Sequence, residues 1–274
     1  MLPSFLLALR EGVEAALIVG ILFSALRKID RPDLAPRVWW GVISAAAVSV
    51  LVAVGLTLAG ASFEGAAEEI FEGFTMLAAA ALLTWMILWM HRQSRFLRSK
   101  IEHDVRSALG KSGGNALFGV AFFAVVREGI ELAIFLVAAG MASSNSAQDL
   151  LGAGIGLAAA AVLGWVLFSS TRRLPLARFF QVTNILLILF AAGLVAHGVH
   201  EFNEVGWIPS IVEHVYDLNP VLSESSTAGQ LLTALFGYNA NPSLTEIIAY
   251  VGYFAVLLLS TVGFTRQPAP AAAQ

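Results

Sequence analysis

The chain has 274 residues, 58% hydrophobic and 13% charged, with a mean hydropathy of +0.77 and a formal net charge of −3. A soluble globular chain carries about 25% charged residues, so this composition excludes a water-soluble enzyme or nucleic-acid-binding module and predicts an all-α, polytopic membrane protein. The absence of cysteine further excludes disulfide frameworks, thiolate metal sites and redox thiols.

A spanning helix needs about 20 mostly apolar residues. Seven stretches qualify: Pro3 to Leu26, Val38 to Gly60, Ala66 to Met90, Asn115 to Gly140, Leu150 to Ser170, Phe179 to His200, and Thr245 to Phe264. The first is read as an uncleaved span, because nothing basic precedes it and Arg10 and Glu11 interrupt what would be a signal-peptide core. The third is the weakest, carrying Glu68, Glu69 and Glu72 in its first turns. Before the seventh, the stretch from Phe202 to Leu244 is long enough for a short surface helix around Thr227 to Phe236. The seventh opens with Ser243-Leu-Thr-Glu246, the spacing of a capping box, just after Pro242. The Pro/Ala tail from Gln267 to Gln274 is predicted to be disordered.

Lys and Arg set orientation. Arg27, Lys28, Arg31 and Arg37 lie between spans 1 and 2. Arg92, Arg95, Arg98, Lys100, Arg106 and Lys111 lie between spans 3 and 4. Arg172, Arg173 and Arg178 lie around the junction of spans 5 and 6, and Arg266 follows span 7. The opposite loops have none, which predicts the N-terminus outside and the C-terminus inside the cell inner membrane.

Two basic residues remain, both within spans. Ala-Leu-Arg-Glu-Gly-Val-Glu carries Arg10, Glu11 and Glu14, and Val-Val-Arg-Glu-Gly-Ile-Glu carries Arg127, Glu128 and Glu131. Corresponding residues differ by 117 in each case (127 − 10, 128 − 11, 131 − 14). Three spans separate the motifs, an odd number, so helix 1 descends while helix 4 ascends. The pattern predicts an inverted repeat, spans 1–3 against spans 4–6, with span 7 added. The expected units are 1–112 and 113–201 for the two repeats, 202–244 for an external acidic loop, 245–266 for the seventh helix and 267–274 for the tail. Such repeats place a substrate site near the bilayer midplane. At about 1.5 Å per residue, Glu14 and Glu131 both fall roughly 12–18 Å below the outer helix ends, mid-membrane.

At 100° per residue, each motif places its Arg and two Glu on one helical face, with Arg and the second Glu at i,i+4 spacing. Gly12 falls on the far side, where it permits close helix contact. Buried ion pairs alone could lock two helices together, but intact pairs are weak stabilisers and mid-membrane charges mark ion pathways. Two Arg cannot neutralise four Glu. Glu11, Glu14, Glu128 and Glu131 are therefore the candidate midplane metal site, with Arg10 and Arg127 balancing charge.

Carboxylates suit hard cations, and nearby histidines admit a borderline transition metal. Glu69-x-x-Glu72 and Glu201-x-x-Glu204 each put two carboxylates on one helical face, and His197 and His200 share i,i+3 spacing. These six form a candidate capture site at an acidic outer mouth that would concentrate cations.

Two Arg-Glu-Gly-x-Glu motifs, one on span 1 and one on span 4 of a seven-span protein, resemble the oxidase-dependent iron permease family, which includes fungal ferric permeases and bacterial EfeU-type importers. The resemblance covers nearly the whole chain. Val13 and Ile130 stand where the family commonly has Leu, and Glu201-Phe-Asn-Glu204 is similar to an external Glu-x-x-Glu of fungal members. The resemblance implies iron uptake, with iron oxidised or delivered by an external or periplasmic partner, no permanently bound cofactor, and the iron ion as cargo. Importers of other metals in the family keep Pb²⁺ or Mn²⁺ as alternatives. A retinal-binding receptor is disfavoured, since Lys28, Lys100 and Lys111 all fall in loops. A membrane metalloenzyme is disfavoured too, because His197-x-x-His200-Glu201 lacks the His-Glu-x-x-His spacing.

Overall fold

The computed structural model describes residues 1–93, 114–142, 146–169, 176–224 and 226–265. Its long helices are α1 (Leu2–Lys28), α2 (Ala35–Gly60), α3 (Ala66–Gln93), α4 (Gly114–Met141), α5 (Ser146–Ser169) and α6 (Leu176–Glu204), followed by the short α7 (Thr227–Phe236) and then α8 (Leu244–Thr265). No strand occurs among the described residues. Each expected span coincides with a long helix, extended by a few residues. Ser170, the loop cations from Arg95 to Lys111, Arg172, Arg173, Arg266 and the tail lie outside the described residues.

Four stretches are long and apolar enough to cross a membrane: Pro32–Gly60, Ala66–Leu88, Ala147–Ser169 and Arg178–Glu204. α8 supplies a shorter apolar stretch, Leu244–Ser260. α1 and α4 have 27 and 28 residues, or roughly 40 Å of helix, and carry the charged motifs inside an otherwise apolar sequence. The outward faces of α2, α5 and α8 expose Leu51, Val54, Leu58, Leu151, Ile155, Val162, Val251 and Leu259. Such faces would be aggregation patches in water and are lipid-facing surface in a bilayer.

Lipid removes the hydrophobic drive for helix association, so contact depends on small residues that let backbones approach. α1 runs along α5, and α2 runs along α4. A Cβ at Gly12 would stand 2.6 Å from the Ala160 Cβ on α5, and one at Gly129 would stand 2.0 Å from the Ser49 hydroxyl on α2. Likewise Gly152 abuts the Met1 carbonyl, as Gly41 abuts the Phe118 carbonyl. α3 packs along α6, and α1 also meets α4. Between them Leu7, Met76, Leu83, Met86, Phe135, Leu187, Phe190 and Leu194 form one buried cluster.

The capping signals before the last two helices are realised. Ser243 N–H donates to Glu246 Oε1 (3.1 Å) and Glu246 N–H donates to Ser243 Oγ (3.3 Å), the reciprocal pair of a capping box. α7 spans the expected residues. Ser226 Oγ accepts from Gly229 N–H at its start, and Gly237, at φ 64°, closes it in the left-handed conformation.

Candidate metal transport site

α1 and α4 turn their motifs toward each other. Arg10 Nη2 lies 3.0 Å from Glu14 Oε1, and Arg127 Nε donates to Glu131 Oε1 at 2.9 Å, so both i,i+4 pairs form. Arg10 Nη1 also donates to Glu11 Oε1 at 2.6 Å. Across the two helices, Glu11, Glu128 and Glu131 each offer a carboxylate oxygen within 4.8 Å of the others, and all three residues are buried. Glu14 stays outside this trio, held by Arg10.

The trio is not internally satisfied. The Oε2 atoms of Glu11, Glu128 and Glu131 are buried without a hydrogen-bond partner. Leaving a buried acceptor unmade costs about 1–3 kcal/mol, and more for a charged group. Four carboxylates against two guanidiniums leave a formal charge of −2. Several oxygens of one sign, drawn together with their Oε2 atoms unpartnered, are a donor set suited to a cation.

The two halves differ in cover. The Arg10 side chain is 0% exposed, whereas that of Arg127 is 40% exposed. The cover over Arg10 comes from α3, whose Met86 Sδ accepts from Arg10 Nη1 at 2.8 Å. Neither motif spacing nor helical periodicity flags Met86, since a buried methionine on an apolar helix is ordinarily a space-filler.

The six residues expected to form a capture site do not all converge. Gly73 and Gly198 bring α3 and α6 close, each with the other's carbonyl 3.1 Å from where its Cβ would stand. Phe202 packs over Gly73 and stacks on Trp207. This approach sets Glu201 within electrostatic reach of Glu72, Glu69, Glu204 and His200. His197 is elsewhere. It is half-buried, its Nδ1 is 3.0 Å from the Gly193 carbonyl, and it lines a cavity of about 20 Å³ with Asp149, Pro3 and Thr233. That volume holds one water-sized guest.

His200 is oriented from the seventh long helix. Its Nδ1 lies 3.1 Å from Glu246 Oε1, and its Nε2 lies 3.9 Å from Glu204 Oε1. Glu246 is itself fixed by Asn239 Nδ2 (2.7 Å) and the Ser243 amide. A carboxylate holding one imidazole nitrogen is the orienting contact common to metal-binding histidines. Sequence reading did not join Glu246 to His200, because the contact crosses 46 residues.

Apolar helices of spanning length around a buried carboxylate cluster define a multi-pass membrane protein of the permease class. The Iron permease FTR1 family matches over residues 1–266, and the chain belongs to that family. It is similar to proteins named "Ferrous iron permease EfeU". The relative from Escherichia coli O157:H7 is 37% identical over 270 residues, covering 98% of this chain and 96% of the relative. The relative from Shigella sonnei has the same identity and coverage. The one from Yersinia pestis is 34% identical over 261 residues, covering 94% and 92%. No solved structure matches. The protein is thus an iron permease by family, a transporter and not an enzyme.

Proposed function

We propose that the chain imports iron across the cytoplasmic membrane through the site formed by its two Arg-Glu-Gly-x-Glu motifs. The observation that carries this reading is the trio of Glu11, Glu128 and Glu131, drawn from two helices with buried, unpartnered oxygens. Glu14 joins as a fourth carboxylate once Arg10 releases it, and Arg10 and Arg127 hold the ligands apart in the empty state. The cargo is Fe²⁺, or Fe³⁺ supplied by an external oxidising or delivering protein. No resident cofactor is required.

The inverted repeat belongs to the same proposal. Helix pairing supports it, since α1 lies along α5 as α4 lies along α2. Contacts repeat with it. Gly12 and Gly129 differ by 117, as do Met1 and Phe118 (129 − 12, 118 − 1), while their partners Ala160 and Ser49, and Gly152 and Gly41, differ by 111 (160 − 49, 152 − 41). The N-out, C-in orientation rests on the loop cations. In that orientation Glu69, Glu72, Glu201, Glu204 and His200 gather cations at the outer mouth, with His197 in the cavity beside it. Residues 1–112 and 113–201 are then the two repeats, 202–244 the external loop, 245–266 the last span and 267–274 the tail.

The test is initial uptake of Fe²⁺, Fe³⁺, Mn²⁺, Zn²⁺ and Pb²⁺ into liposomes containing the purified chain. Iron entering in preference to the rest is the expected result. Preferential uptake of Pb²⁺ or Mn²⁺, or no uptake of any metal by correctly inserted protein, overturns the reading.

A further inference from the structure

We infer that the Met86 thioether is a selecting donor at the edge of the carboxylate site, favouring Fe²⁺ over harder cations and over Fe³⁺. The inference rests on the iron-import reading and names the ion that the site prefers. Met86 lies on α3, outside both motifs, and is 2% exposed. Its methylenes belong to the buried cluster around Leu7 and Phe135. Its sulfur has a different neighbour. Arg10 Nη1 touches Met86 Sδ at 2.8 Å and Glu11 Oε1 at 2.6 Å, so one cationic nitrogen bridges a thioether and a carboxylate.

That nitrogen marks the place where a metal ion would meet both donors. The guanidinium nitrogen holds the place of a cation between the two donors. An arriving ion exchanges with it, displacing the guanidinium nitrogen from Glu11 and Met86. What replaces the guanidinium then faces Glu11 oxygen and Met86 sulfur, and Glu11 offers an oxygen within 4.8 Å of those of Glu128 and Glu131.

The chemistry of the donors ranks the candidates. Carboxylates alone accept Mg²⁺, Ca²⁺, Mn²⁺ and iron with little discrimination by softness. A thioether is neutral and polarisable, so it adds affinity for softer ions and nothing comparable for hard ones. Fe²⁺ gains from it, and Fe³⁺ and Mn²⁺ gain least. Charge points the same way. A divalent ion cancels the formal −2 of four Glu and two Arg, whereas a trivalent ion overshoots it.

The test uses full-length wild type and Met86→Leu in proteoliposomes, leucine being close in volume and tolerated in cores. Initial rates are measured against free Fe²⁺ under reducing conditions and against free Mn²⁺, with Cd²⁺ as a soft competitor. In Met86→Leu the half-saturation concentration for Fe²⁺ should rise about tenfold, in the range seen when metal-site partners are lost. That for Mn²⁺ should change by less than a factor of about two, and Cd²⁺ should compete less well. X-ray absorption at the iron edge should find a sulfur neighbour in wild type and none in Met86→Leu. An equal change for both metals, no change, or an all-oxygen iron shell in wild type overturns the assignment and leaves iron import standing. A wild-type chain that carries no iron removes the import reading and this inference with it.

Discussion

Replacing Gly12 with alanine adds one methyl group at a close contact between α1 and α5, beside Glu11. The new Cβ would stand 2.6 Å from the Ala160 Cβ. Carbon atoms settle at about 3.5–4.0 Å, so the helices must separate by roughly 1 Å. Overpacking of this kind costs about 1–3 kcal/mol. The functional effect is larger than the stability effect, because Glu11 is the next residue and its carboxylate must stay within 4.8 Å of Glu128 and Glu131. A displacement of about 1 Å at a positioned site costs on the order of 10²-fold. Gly12→Ala should therefore insert and fold while losing most iron uptake. The companion change Ala160→Gly removes the opposing methyl, and the double variant should recover uptake, a coupling read directly by a double-mutant cycle. Gly129→Ala should be comparably damaging, since the Ser49 hydroxyl can rotate away at the loss of its bond to the Ala45 carbonyl but the Ser49 Cβ, 2.7 Å from the new methyl, cannot. The assay is initial uptake into liposomes together with thermal unfolding in detergent. Wild-type uptake by Gly12→Ala, or no recovery in the double variant, would refute the argument that this contact sets the site.

Three further outcomes follow from the same geometry. Glu14→Gln and Glu131→Gln each keep shape but remove charge, and each should abolish uptake in protein that still reaches the membrane; near-normal flux in both would reject the carboxylate site. Arg127→Lys and Arg10→Lys lose the planar fork that reaches the glutamates, and uptake should fall in both, more for the fully buried Arg10, which contacts Glu11, Glu14 and Met86. Neutralising Glu69, Glu72, Glu201 and Glu204 together should raise the half-saturation concentration at low salt, with less effect on saturated flux. The difference should shrink at higher salt, as exposed charges are screened within about 10 Å at 0.1 M. An unchanged half-saturation concentration would remove the mouth from the account.

What was legible in the sequence was what depends on neighbours in the chain. The i,i+4 pairs Arg10–Glu14 and Arg127–Glu131 formed because a helix of either length brings them together whatever surrounds it. The capping box at Ser243 and the helix from Thr227 to Phe236 were legible for the same reason. The close contact at Gly12 was legible as a face, though not as a partner. Tertiary choices were not legible. Nothing in the periodicity of α1 names α5 as its neighbour. His197 and His200, three residues apart on one helix, diverge because α7 and α5 cover one while the start of α8 holds the other. Met86 reaches Arg10 across 76 residues, and an apolar residue in an apolar helix leaves no mark in composition.

The central claim is that one cation binds among Glu11, Glu128 and Glu131. Equilibrium binding of iron to the purified chain in detergent or nanodiscs, wild type beside the triple Glu→Gln variant, tests it without depending on flux, orientation or a delivering partner. The account predicts saturable binding of one tight iron per wild-type chain and its loss in the triple variant, with the weaker outer-mouth binding left in place. Tight binding of the same stoichiometry in the folded triple variant would contradict it.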